Sequence, residues 1–243
     1  RVAVGFFFLW IIVLGMAAGW VANMLLGGSS HPRSWTVLIF AAPLTLWLDG
    51  RSRATPSSLL TVSSVALAPL AVLLAGVAGR KLRAVVQGGK ERQDSVEAAL
   101  AAVTADVVLV HDGVRPFASR RLLEAVASTA LSTGAAIAAV RAKETIKIAD
   151  GAGSVLSTPE RGTLWVAQTP QAFAASLLRE AFAVARKDGF LGTDDASLVE
   201  RLGVGVRIVE GEYDNIKITT PADLDLAAKI LARVTASADR LVF

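Results

Sequence analysis

Residues 105–112 read ADVVLVHD, an aliphatic run with a single polar residue near its start and two at its end. An unbroken apolar run this short fits a strand covered on both faces, as in a sheet layered between helices, and not a half-wet antiparallel strand. The surrounding pattern agrees. LRAVV (82–86), AAIAAV (135–140) and VRIVEG (206–211) read as further strands. Segments with helical apolar spacing alternate with them: DSVEAALAAV (94–103), SRRLLEAVASTALSTG (119–134), PQAFAASLLREAFAVARKDG (170–189), DDASLVERLG (194–203) and TPADLDLAAKILARV (220–234). Ser119 and Gly134 supply start and stop signals, and Thr220, Pro221 and Asp223 form a capping-box start. Alternating strands and helices predict an α/β fold with a mostly parallel sheet.

The first third has a different texture. Residues 2–27 carry no charge, and a run of about 20 apolar residues is enough to cross a bilayer. Gly15 and Gly19 have the spacing of a helix-packing face. A signal peptide is the rival reading, but the run is long for one and lacks a clear basic start. Residues 1–33 are therefore expected to form a membrane-spanning segment. A second uncharged run, 57–79, reads either as another membrane segment or as a strand and helix. Arginines on several sides leave the topology open.

Charge separates the same two parts. Residues 1–80 hold five arginines against the single acid Asp49, so the net charge of +4 belongs entirely to them. The balanced remainder has no basic stripe, which argues against a nucleic-acid partner. The chain has no cysteine and only His31 and His111, which excludes thiol chemistry and speaks against a His-built zinc site.

Ligands of open α/β sheets bind beyond the carboxyl ends of the strands. The stretch after 105–110 holds His111, Asp112, Arg115 and Pro116. Asp112 there can hold Mg²⁺ together with substrate phosphates, or simply cap a turn and pair with Arg115. GGKERQDSV (88–96) sets two glycines before Asp94 and Ser95 at a strand-to-helix turn, a nucleotide-binding geometry. RGTLWVAQTPQAF (161–173) gathers Arg161, Gln168 and Thr169 around a short apolar strand. GTDDASLVE (192–200) places Thr193 and Asp194 at a helix start, where capping is the plain explanation. In YDNIKITTP (213–221), Lys217 lies between two isoleucines, as a solvated edge residue or an anion ligand.

In this order, GGKERQDSV, VLVHDGVRPF, ETIK, RGTLWVAQTPQAF, GTDDASLVERLG and EGEYDNIKITTPADL closely resemble the 2-C-methyl-D-erythritol 4-phosphate cytidylyltransferase family, over roughly residues 81–234. The resemblance implies a Rossmann-like sheet of the nucleotide-diphospho-sugar transferase type, with the apolar N-terminal helix outside it. It implies a cytoplasmic domain that transfers CMP from CTP to methylerythritol phosphate and releases pyrophosphate, in non-mevalonate isoprenoid synthesis. Asp112 would hold a Mg²⁺ bridging the CTP phosphates. Gly89 and Ser95 would contact the cytosine and ribose end. Arg161 and Lys217 would offset the charge of the reacting phosphates, and with Thr169 and Thr193 would surround the methylerythritol phosphate. Thr145 would lie on an arm that reaches into a partner subunit, implying a homodimer. Glu144 stands where the family has aspartate before that threonine.

The family's first strand and glycine-rich loop, Ala-Ala-Gly-x-Gly-x-Arg and later Pro-Lys-Gln, are not intact. TVLIFAAPLTLW (36–47) resembles the strand and the alanines, but Pro43, Thr45 and Trp47 stand near the two glycines and the arginine. In ATPSSLLTV (54–62), Ser57 and Ser58 replace the lysine and glutamine. Pro43 removes a backbone donor, and each lost transition-state donor costs about 10²–10³ in rate. Residues 34–80 are thus expected to be a degenerate or replaced part of the nucleotidyltransferase domain, 81–243, and activity to be impaired. Decay, replacement by a membrane segment, a fusion or frame error in the sequence, and a loop supplied by another polypeptide all stay open. The alternative function is a non-catalytic, membrane-attached relic that binds the phosphorylated sugar through Arg161 and Lys217. A third places the function in residues 1–80.

Overall fold

The computed structural model describes residues 35–40, 86 and 88–238. The expected membrane segment (1–33), the run 57–79 and the positions of Pro43, Thr45, Trp47, Ser57 and Ser58 lie outside the described residues. So does most of the strand expected at 82–86. Among the described residues, no helix is long and apolar enough to cross a membrane.

Five strands form one sheet: β1 (Trp35–Phe40), β2 (Val107–Asp112), β3 (Ala135–Arg141), β6 (Trp165–Ala174) and β7 (Arg207–Glu210), in the order β1-β2-β6-β3-β7. β1 is parallel to β2 and β7 to β3, while β6 lies antiparallel between β2 and β3. Four strands therefore share one direction, and β6 is the exception to the expected parallel sheet. β4 (Ile148–Ala149) and β5 (Val155–Ser157) make a separate antiparallel hairpin. The helices are α1 (Arg92–Leu100), α2 (Arg120–Thr133), α3 (Ala175–Lys187), α4 (Asp195–Arg201) and α5 (Pro221–Ala238).

The continuous apolar run does what its pattern predicts. All six residues of β2 are buried. Val108 and Val110 pack with Val96, Phe173, Leu178 and Phe182 on one side, while Val107 and Leu109 pack with Leu122, Val126 and Ala138 on the other. Successive side chains point to opposite faces, so a strand that fills two cores must be apolar throughout.

Sequence signals set several ends. Ser119 Oγ accepts from the Leu122 amide at 3.1 Å, and Gly134 closes α2 with φ 89°, a left-handed conformation suited to glycine. Pro221 opens α5, and the Asp223 carboxylate accepts from the Thr219 and Thr220 amides. One boundary differs from expectation. The helix predicted over 170–189 begins only at Ala175, because Gln168–Phe173 are buried as part of β6. Proline is disfavoured in central strands for want of a donor. Here Pro170 falls where the β3–β6 register shifts between Ile137 and Ala139, so the ladder is already interrupted.

Candidate active site

β2 carries its apolar run to the edge of the core and ends on His111 and Asp112, which are within the strand and not in the loop after it. Both are buried. The His111 Nε2–H donates to the Arg115 carbonyl at 3.0 Å. Burial holds the ring's pKa below its ordinary value, so the ring is neutral and Nδ1 accepts from the Thr169 hydroxyl at 3.1 Å. The same hydroxyl accepts from the Asp112 amide at 2.9 Å. Thr169, buried itself, is thereby committed to fixing the backbone at Asp112.

Three cations surround the Asp112 carboxylate. Lys217 Nζ lies 3.2 Å and Arg115 Nε 3.7 Å from Oδ2, and Arg92 Nε lies 3.4 Å from Oδ1. Burial alone would raise the Asp112 pKa, but Lys217, then Arg92 and Arg115, outweigh it and hold the group below the usual carboxylate range. Arg92 also donates to Asp195 Oδ2 at 2.7 Å. Burial raises the Asp195 pKa, against the opposing pull of Arg92. With three cations against two carboxylates, the cluster favours anions.

Lys217 sits on a segment with no regular secondary structure, between half-buried Ile216 and buried Ile218. Hydrogen bonds hold that segment instead. The Arg115 guanidinium donates to the Asn215 carbonyl at 2.8 Å, Asn215 Nδ2 donates to the Thr169 carbonyl at 2.8 Å, and Gln168 Nε2 donates to the Glu212 carbonyl at 3.0 Å. Lys217, 45% exposed, is thus presented to solvent from a fixed base.

The turn before α1 is closed by Ser95, whose hydroxyl accepts from the Gly89 amide at 3.1 Å. A Cβ at Gly89 would stand 2.2 Å from the Asp94 Cβ, so close approach requires glycine there. Beside it, a cavity of about 80 Å³ is lined by Glu91, Arg92, Gln93, Gly192, Thr193 and Asp195, among others. Gly89, Ser95, Asp112, Thr193 and Lys217 therefore belong to one region. Arg161 and Thr145 make none of these contacts. Arg161 opens a 3₁₀ turn, Arg161–Thr163, before β6, where it donates to the Lys143 carbonyl at 3.3 Å. Exposed Thr145 precedes the β4–β5 hairpin. Arg161 thus precedes the Trp165 end of β6, the end that pairs with Arg141 of β3. Arg161 is not among the three cations that pair with Asp112.

Sequence reasoning missed Arg92, Asp195 and Asn215. Arg92 carried a signal: a cation in a helix's first turn opposes the helix dipole and needs another reason to be there.

Among the described residues, no cluster of three or more metal-ligating side chains occurs. Asp112 offers one carboxylate, since Asp195 faces Arg92. That donor set fits a hard divalent ion only if waters and substrate phosphates complete its shell, the usual arrangement for Mg²⁺ at phosphates.

Comparison with known proteins agrees with this picture. The family model 2-C-methyl-D-erythritol 4-phosphate cytidylyltransferase (IspD) matches residues 61–233. A relative of that name from Geobacillus thermodenitrificans is 55% identical over 154 residues, covering 63% of this chain and 67% of the relative. One from Geotalea uraniireducens is 52% identical over 158 residues, with the same coverage of 63% and 67%. The crystal structure of the Thermus thermophilus cytidylyltransferase superposes with a TM-score of 0.56 at 43% identity, over 61% of this chain and 72% of that one. A 4-diphosphocytidyl-2C-methyl-D-erythritol synthase from Anaerococcus prevotii gives 0.60 at 34%, over 68% and 76%. The chain belongs to the 2-C-methyl-D-erythritol 4-phosphate cytidylyltransferase family.

Proposed function

We propose that this chain transfers CMP from CTP to 2-C-methyl-D-erythritol 4-phosphate and releases pyrophosphate. The observation that carries the reading is the Asp112 carboxylate at the end of a rigid strand, held 3.2 Å from Lys217 and flanked by Arg92 and Arg115. A substrate phosphate oxygen bonds to the α-phosphorus of CTP, the bond to the bridging oxygen breaks, and pyrophosphate leaves. No side-chain nucleophile is needed, because phosphoryl transfer depends on positioning and charge neutralisation. Lys217 and the two arginines offset the repulsion between two polyanions. Asp112 is the residue that would hold Mg²⁺, which when bound neutralises phosphate charge. The Gly89–Ser95 turn receives the nucleotide, Thr193 faces the sugar phosphate, and Thr169 acts through the backbone of Asp112.

Thr145 lies on the arm that enters a second copy of the chain, so the active species is a homodimer. Exposed Ile148, Val155 and Leu156 on the hairpin support this. Leu156→Glu should convert a sedimenting dimer to monomer and abolish turnover; an unchanged dimer would refute the assignment. The uncharged run 2–27 attaches a cytoplasmic domain to the membrane. Recovery of the full chain free of lipid vesicles in a flotation gradient would contradict that attachment.

With CTP, methylerythritol phosphate and Mg²⁺, the full chain should release pyrophosphate only when both substrates are present, more slowly than relatives with an intact loop. Binding of the sugar phosphate without any release would instead favour the non-catalytic relic.

A further inference from the structure

We propose that Asp195 and Gln93 are positioning residues: through Arg92 and the loop backbone they clamp the Thr193 loop to the Asp112 cluster, coupling the two substrate sites. The inference rests on the proposed transferase reading.

Arg92 spans two segments that lie far apart in sequence. Its Nη2 meets Asp195 at 2.7 Å and its Nε faces Asp112 at 3.4 Å. Asp195 is 1% exposed, and a buried carboxylate requires a partner. Capping does not explain it. The α4 cap is Asp194, which accepts from the Ser197 amide at 2.9 Å and from Gln171 Nε2 at 2.8 Å. Asp195 is therefore free to face Arg92.

The neighbouring Gln93 makes two further ties. Its Nε2 donates to the Phe190 carbonyl at 3.1 Å, and its Oε1 accepts from the Gly192 amide at 2.9 Å. The loop is tightly folded at Gly192, where a Cβ would stand 2.5 Å from Ser197 Oγ and 2.7 Å from Leu198 Cδ2. Three bonds thus join residues 190–195 to the first turn of α1, the helix that follows the Gly89–Ser95 turn. Exposed Thr193 lies between the tied positions, so its placement relative to Asp112 depends on the clamp.

The test is Asp195→Asn in the full chain. Amide exchange across 190–195 should accelerate about tenfold while β2 amides are unchanged. KM for methylerythritol phosphate should rise about tenfold, the scale of one lost charge-assisted hydrogen bond, with kcat falling by no more than about threefold. A purely structural role would lower the melting temperature and leave KM unchanged. Asp195→Asn with Arg92→Gln should raise KM no more than the worse single variant, because Asp195 acts through Arg92. Additive losses, or unchanged exchange in a variant that melts cooperatively, would overturn the clamp. If Asp195→Asn does not fold, Gln93→Ala should give the same exchange and KM changes, and its failure to do so would count against the proposal. No turnover by the unmutated chain would sink the transferase reading alone, and the exchange rates would then decide the clamp.

Discussion

Asp112→Asn should lower pyrophosphate release by about 10²–10³, the usual loss when a preorganised charged group is removed from a transition-state site. The amide keeps the shape of the side chain and, as an oxygen ligand, is far poorer for a hard cation. It also leaves Arg92, Arg115 and Lys217 facing one another around a neutral group. Removing one member of a largely buried ion cluster costs about 3 kcal/mol, so urea melts should show the variant less stable near neutral pH. The carboxylate's folded-state pKa lies below its unfolded value, chiefly because Lys217 and Arg92 outweigh burial. Its stabilisation is therefore complete above the unfolded value and is lost as pH falls through the folded one. The gap between wild type and Asp112→Asn should narrow in that acid range. A gap that does not change with pH would show that the pairing is not what holds the carboxylate.

Phe173→Ala should unfold the chain more readily by about 3–5 kcal/mol. Phe173 is fully buried on β6, opposite Val108 of β2 and Ala135 of β3, and packs with Val96, Leu178 and Phe182. The cavity left behind would be lined by Val108 of β2 and by helix residues, Val96 of α1 and Leu178 and Phe182 of α3. The same strand carries Thr169 and Gln171, so turnover should fall with stability. A loss below about 1 kcal/mol in a denaturant melt would contradict the description of this core.

The elements with strong local signals were legible in the sequence. β2 betrayed itself because a strand covered on both faces must be apolar throughout, and α2 because Ser119 and Gly134 bracket it. β6 was harder: PQAFAASLLREAF has helical apolar spacing, and only the tertiary register shows that Pro170 sits at an interruption in the ladder. At the site, Asp112 was legible because it ends an apolar strand, and Gly89 with Ser95 because the turn demands them. The partnership of Arg92 with Asp195 spans 103 positions and leaves no periodic trace. Asn215 looks like an ordinary turn residue until its buried carboxamide is seen to brace the Lys217 segment.

Calorimetric titration of CTP with Mg²⁺ into the full chain and into Lys217→Ala tests the central claim most directly. Lys217 is 45% exposed, and a melt of the variant run alongside establishes that it is folded at the titration temperature. The account predicts that the unmutated chain binds CTP and that Lys217→Ala binds it at least about tenfold more weakly, the scale of one charge-assisted contact to phosphate. Equal affinity in the two proteins, or no CTP binding by the unmutated chain, would contradict it.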